Sequence, residues 1–107
     1  MSLQDRVIVV TGASQGIGLA VARLLVERGA VVALVARDAG RLAAAAAELG
    51  PRARGYACPV QDPAAVQSTV QRVLEAHGAL HGLVNNAGIT RDRLLVRMGQ
   101  DLSLIHI

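Results

Sequence analysis

Val7-Ile8-Val9-Val10 runs without a break into Thr11-Gly12-Ala13-Ser14-Gln15-Gly16-Ile17-Gly18, and Leu19 to Arg28 continues with helical character. A short apolar run bounded by turn residues reads as a buried strand, so the order is strand, glycine-rich turn, helix. That order makes an anion site, because the unpaired N–H groups of a helix N-terminus and the positive end of its dipole face the same small volume. Glycine in the turn lets the chain bend sharply and lets a phosphate approach the backbone with no Cβ in the way. A diphosphate is the expected occupant, and Gly12, Ala13, Ser14, Gln15, Gly16, Ile17 and Gly18 are its candidate contacts. The plainer alternative is a glycine-rich turn without a ligand.

The spacing is not G-x-G-x-x-G, since Gly16-Ile17-Gly18 is followed by Leu19, Ala20 and Val21. It is not a P-loop either: no Gly-Lys-Ser/Thr follows, and the chain contains no lysine to set on terminal phosphates. What remains is T-G-x-x-x-G-x-G. With it the chain resembles the short-chain dehydrogenase/reductase family, whose nucleotide loop has that form. Leu83-Val84-Asn85-Asn86-Ala87-Gly88 again follows an apolar stretch and is similar to the N-N-A-G segment at the end of that family's fourth strand. For Asn86, Ala87 and Gly88 the resemblance implies contact with the ribose and nicotinamide side of a cofactor. Asn85 has a purely architectural alternative, since asparagine side chains readily bond neighbouring main chain.

Outward from these motifs the chain alternates. Arg6 to Thr11, Ala30 to Ala36, Ala53 to Cys58 and Leu80 to Asn86 read as strands. Gly16 to Glu27 reads as a helix closed by Gly29. Asp38 caps the next helix, which carries the alanine run 43–47 and stops at Gly50-Pro51. Asp62-Pro63 opens a third in the favoured order of cap and first-turn proline, with Val66, Val70, Val73 and Leu74 at helical spacing up to Gly78. Strands joined through helices of this length are parallel, so the expected fold is α/β: a Rossmann-type doubly wound parallel sheet, cut to its first half, with strand order 3-2-1-4. In such a sheet, ligands sit beyond the carboxyl ends of the strands where the order reverses, between strands one and four.

Composition narrows the function. The chain has 107 residues, enough for one domain with a core, and 52% of them are hydrophobic, yet no apolar run is long enough to span a membrane. Solubility and no membrane partner are expected. The formal charge is +3, carried by scattered arginines, and Tyr56 is the single aromatic residue, so no stacking platform for bases exists and nucleic-acid binding is not expected. Cys58 has no partner for a disulfide or a C-x-x-C site, which fits a reducing compartment. His77, His81 and His106 lack ligand spacing with carboxylates or the cysteine, so no metal site is expected.

The end of strand two bears on the cofactor. A carboxylate about 20 residues beyond the loop grips the ribose hydroxyls of NAD, whereas an arginine there accommodates the 2′-phosphate of NADP. Ala36 stands where the carboxylate would be and Arg37 follows it, which favours NADP(H). The competing reading makes Asp38 the ribose carboxylate and selects NAD. Two departures from the family bear on the site. Gln15 occupies a loop position where related NADPH enzymes often carry a basic residue. After strand three, Pro59-Val60 replaces the family's aspartate and hydrophobic residue around the adenine; Val60 can still cover the ring, while Pro59 supplies neither a carboxylate nor an N–H.

Within the family, Ala87-Gly88-Ile89-Thr90-Arg91-Asp92-Arg93-Leu94-Leu95-Val96-Arg97-Met98 is similar to the corresponding segment of 3-oxoacyl-[acyl-carrier-protein] reductases and their carbonyl reductase 4 relatives. Locally it reads as a helix start in which Asp92 caps and Leu94, Leu95 and Met98 pack. The resemblance implies a cytoplasmic enzyme of fatty acid biosynthesis, alternatively in the mitochondrial matrix, that is a homotetramer and reduces a carbonyl on acyl-carrier-protein or a small molecule. Its Ser, Tyr, Lys and Asn would all follow Met98, so no catalytic residue is assigned in this chain and activity of these residues alone is not expected. Leu102-Ser103-Leu104-Ile105-His106-Ile107 reads like a translated transposon-end adapter. Residues 1–98 are therefore expected to be the N-terminal part of a dinucleotide-binding domain and 99–107 a non-native tail. Strand four would then be left as a sheet edge, an aggregation hazard.

Overall fold

All five residues of the first strand, Val7–Thr11 (β1), are buried, as a central strand covered on both faces requires. The computed structural model describes residues 3–59, 61–85, 95–98 and 105–106. After β1 come α1 (Gly16–Glu27), β2 (Val31–Ala36), α2 (Ala39–Leu49), β3 (Ala53–Ala57), α3 (Pro63–His77) and β4 (Gly82–Asn85). β2 and β4 flank β1 in parallel, with Val7 opposite Val31 and Ile8 opposite Gly82, and β3 lies parallel outside β2 with Val32 opposite Ala53. The order β3-β2-β1-β4 is that of a Rossmann-like half-sheet.

Alternation along the strands builds two cores. Ile8 and Val10 of β1 with Val32 and Leu34 of β2 pack under Ala22 of α1 and Leu42 and Ala45 of α2. Val7, Val9, Ala33 and Val35 point the other way and meet Tyr56, Cys58 and Val73 of α3. Helices therefore cover both faces, and the valine-rich strands need no polar side. Gly55 of β3 allows close approach by α2: a Cβ there would come within 3.1 Å of the Leu42 Cβ.

Local chemistry sets the helix ends. Asp38 Oδ1 accepts from Arg41 N at 3.0 Å, and Asp62 Oδ1 accepts from Ala64 N at 3.0 Å, so both aspartates cap as their sequence positions predict. Gly78 closes α3 in the left-handed conformation, its N–H donating to Leu74 O. His81 has a structural role: its Nδ1 accepts from Val7 N at 2.9 Å while its own N–H donates to Val7 O, which fastens β1 to the entry of β4.

One expectation is overturned. Leu95–Met98 do not begin a helix but form β5, antiparallel to β4 with Asn85 opposite Leu95, and Ile105–His106 add a short β6 outside it. β4 is therefore an interior strand of a six-stranded sheet rather than its edge. The physical reason is the open row of N–H and C=O groups along β4, which the Leu-Val-Arg-Met run satisfies by pairing. β6 falls within the stretch read as a non-native tail.

Candidate functional site

The turn between β1 and α1 opens at the carboxyl end of the sheet. Gly12 and Gly16 adopt φ of 63° and 62°, a region that favours glycine, and these two reversals return the chain into α1. Ala13 is fully buried, and its N–H donates to Val35 O at 3.3 Å, tying the turn to β2. Gln15 is the N-cap residue of α1, yet its side chain makes no cap bond and the first turn carries no acidic group. The leading amides of α1 thus lack a side-chain acceptor from the cap, and no acidic residue of their own turn offsets the positive end of the dipole. Among the described residues, nothing lies within 4 Å of the position a Cβ on Gly16 would take. Ile17, beside it, is 63% exposed although it is a large apolar residue, while Gly18 is buried against the core.

Next to this turn lies a pocket of about 310 Å³ lined by Gly12, Ser14, Gln15, Ala36, Arg37, Asp38 and Arg41. Two loops and the first turn of α2 meet there because β1 and β2 are adjacent and parallel, so their carboxyl ends lie side by side. The charges are two guanidinium groups and one carboxylate. Asp38 is engaged: Oδ1 caps α2, and Oδ2 lies 3.8 Å from Arg41 Nε. Arg37 makes no ion pair among the described residues. Arg41 Nη1 donates to Gln15 Oε1 at 2.6 Å, a bridge from α2 back to the glycine-rich turn.

Of the residues picked from sequence, Gly12, Ser14, Gln15 and Arg37 line the pocket, and Ala13, Gly16, Ile17 and Gly18 belong to the adjoining turn and helix start. Pro59 is exposed beyond β3, where its carbonyl accepts from Asp62 N in the turn into α3. Val60, Asn86, Ala87 and Gly88 lie outside the described residues. Arg41 is the residue that sequence reasoning missed. Its signal was present in principle, since it stands one helical turn after Arg37 and three residues after the Asp38 cap. Tyr56 is remote in character: it is buried, the Arg54 and Arg72 guanidinium groups lie 5.5 and 5.4 Å from its ring centroid, and its hydroxyl has no hydrogen-bond partner among the described residues. No cluster of His, Cys, Asp and Glu suited to a metal occurs among the described residues.

A glycine-rich turn into an uncapped helix, at the carboxyl ends of a 3-2-1-4 parallel sheet, defines the class: an α/β domain of Rossmann type. The family model for short chain dehydrogenase matches residues 6–102, and the chain belongs to that family. It is 48% identical over 101 residues to the 3-oxoacyl-[acyl-carrier-protein] reductase FabG of Vibrio harveyi, covering 94% of this chain and 41% of that protein. Against the 3-oxoacyl-[acyl-carrier-protein] reductase of Bos taurus it is 43% identical over 104 residues, or 95% and 44% of the two chains. The crystal structure of a 3-ketoacyl-(acyl-carrier-protein) reductase from Brucella melitensis complexed with NADH superposes with a TM-score of 0.76 at 36% identity, covering 82% of this chain and 36% of that one. The chain thus spans about two-fifths of the length of the curated relatives it matches.

Proposed function

We propose that these residues form the nucleotide-binding part of an NADPH-dependent reductase that converts a 3-oxoacyl thioester, or a related ketone, to the hydroxy compound. The observation that carries this reading is the pairing of the uncapped α1 N-terminus with the arginine-lined pocket beside it. A dinucleotide fits these groups. Its diphosphate matches the leading amides of α1, and the open space above Gly16 permits close approach to the backbone. Gly12, Ala13, Ser14, Gln15, Ile17 and Gly18 complete that wall. Arg37 would hold a 2′-phosphate, while Pro59 and Val60 would border the adenine and Asn86, Ala87 and Gly88 the nicotinamide ribose.

When bound, the reduced nicotinamide supplies a hydride to the carbonyl carbon. The residues described here bind and orient the nucleotide and stay clear of the proton transfer. Tyr56 cannot serve as the proton donor, because it is buried in the core between β3 and α3, and the chain has no lysine. Similarity to the Vibrio and Bos reductases supports acyl-carrier-protein thioesters as the substrate class. With it go a tetrameric full-length enzyme and a cytoplasmic or mitochondrial-matrix location. No helix among the described residues is long and apolar enough to cross a membrane.

Asp38 decides between NADP and NAD. Its carboxylate caps α2 and faces Arg41, which supports Arg37 as the group that meets the ribose substituent. NADH in the Brucella structure favours the second reading, in which Asp38 takes the ribose hydroxyls. Titration calorimetry of the 107-residue chain tests both: tighter binding of NADPH than of NADH is expected, and the reverse order assigns the site to NAD. The same chain is expected to leave acetoacetyl thioester unreduced with NADPH, and turnover above the blank would locate catalysis among these residues.

A further inference from the structure

β3 is the outermost strand on its side of the sheet, and among the described residues no strand lies beyond it. Its ladder to β2 decides which backbone groups stay open. Arg52 O accepts from Val32 N and Cys58 N donates to Ala36 O, so Arg54 and Tyr56, in phase with them, turn their backbone groups toward β2. Backbone direction alternates along a parallel ladder, hence the N–H and C=O groups of Gly55 and Ala57 face outward. Such a row is a template for a further extended chain. The two faces beside it differ in chemistry. Side chains alternate along the strand, which sets Gly55 and Ala57 on the α2 side and Arg54 and Tyr56 on the α3 side. On the α2 side runs an apolar groove of about 230 Å³ lined by Ala39, Leu42, Ala43, Gly55 and Ala57. On the α3 side the Tyr56 ring gathers the guanidinium groups of Arg54 and Arg72, 5.5 and 5.4 Å from its centroid. Both arginines are exposed, and neither makes an ion pair among the described residues.

We propose that the β3 edge is a docking site for an extended segment of another protein in which acidic and apolar residues alternate. Its backbone pairs with Gly55 and Ala57, its apolar side chains enter the groove beside α2, and its carboxylates, on the opposite face, meet Arg54 and Arg72. Charge selects this occupant over a second copy of the chain. β3 reads Ala-Arg-Gly-Tyr-Ala and holds no acidic residue, so pairing it with itself sets guanidinium groups together without a counter-charge. No residue of the groove lines the nucleotide pocket, and the proposal stands apart from the cofactor reading.

The test is fluorescence anisotropy of the 107-residue chain with a fluorescein-labelled heptapeptide of alternating glutamate and valine. Saturable binding is expected, absent when lysine replaces glutamate and roughly fivefold weaker when the same residues are arranged in two blocks, which breaks the period of two. Arg54→Ala and Arg72→Ala are each expected to weaken binding about 2- to 5-fold, and less as salt is raised. Ala57→Pro removes an outward N–H while leaving the β2 ladder intact, so it should abolish binding. N-methylated peptides repeat that test without altering the protein. Methyl groups on one alternate set of amides should abolish binding, and on the other set should leave it within about twofold. Equal effects of the two sets, binding of the lysine peptide, or no binding of the alternating peptide would each overturn the proposal. A chain that sediments as a dimer and becomes monomeric with Ala57→Pro would overturn it too, by giving the edge to a second copy.

Discussion

Gly16 and Gly50 share a backbone problem and differ in what surrounds them. Their φ values are 62° and 94°, and nothing among the described residues lies within 4 Å of a Cβ built on either. Replacing either with alanine puts a Cβ on a backbone of positive φ, at a cost of about 1–3 kcal/mol. Only Gly16 opens onto the pocket side of α1, so Gly16→Ala is expected to cut nucleotide affinity on the order of tenfold, while Gly50→Ala melts lower but binds normally. Calorimetric titration beside thermal melts checks the pair. Asp5 gives a pH signature elsewhere. The Arg52 guanidinium donates to Asp5 Oδ1 at 2.8 Å and holds its carboxyl below the ordinary value, against an opposing effect of desolvation. A lowered folded-state pKa contributes stability that is full above the ordinary carboxylate pKa and is lost as pH falls through the lowered value. Asp5→Asn should therefore be slightly less stable than the parent at neutral pH, with the gap closing in acid, as read from urea melts across pH. High salt should narrow the neutral-pH gap, since the pair is exposed. At this scale the sequence shows identities but not reach. Arg37 and Asp38 were legible as pocket-lining residues because they directly follow a strand end, whereas Arg41 enters the pocket through a side-chain direction that spacing does not specify.

At the scale of elements the most legible feature was capping, because it is decided by residues adjacent in sequence. Asp38 and Asp62 do what their positions predict, and the Asp62-Pro63 start and Gly78 stop bracket α3 as expected. Asp62→Ala removes the acceptor for Ala64 N and Ala65 N and is expected to cost about 1 kcal/mol in a urea melt. Gln15→Ala at the start of α1 should cost far less, since no cap bond is lost. That contrast separates helices closed for stability from the one left open toward the pocket. The strands were legible through apolar runs and were misjudged only at their ends, with β4 starting at Gly82 rather than Leu80. β5 was not legible. Leu94, Leu95 and Met98 fit a helical face, and nothing local in the sequence announces that the edge of β4 recruits Leu95–Met98 as a strand.

Across the whole molecule, stability rests on β1 to β4, the three helices and the turns that join them, for the two clusters of buried residues draw on these segments among the described residues. β6 adds a two-residue ladder to β5, opposite Leu95 and Val96. At about 0.5–1.5 kcal/mol per hydrogen bond, its removal costs little compared with emptying either core. Residues 99–107, read from the sequence as a non-native tail, are thus expected to be dispensable for folding. A chain ending at Met98 should melt cooperatively within roughly 10 °C of the 107-residue chain, given that 1 kcal/mol shifts a domain of this size by about 4–8 °C. It should bind nucleotide equally well, because the described residues that line the pocket run from Gly12 to Arg41. A chain ending at Asn85 removes β5 as well and bares the edge of β4, so it should scatter light at concentrations where the Met98 chain stays clear. If instead the Met98 chain loses its cooperative melt, β6 is an integral strand and the tail belongs to the fold.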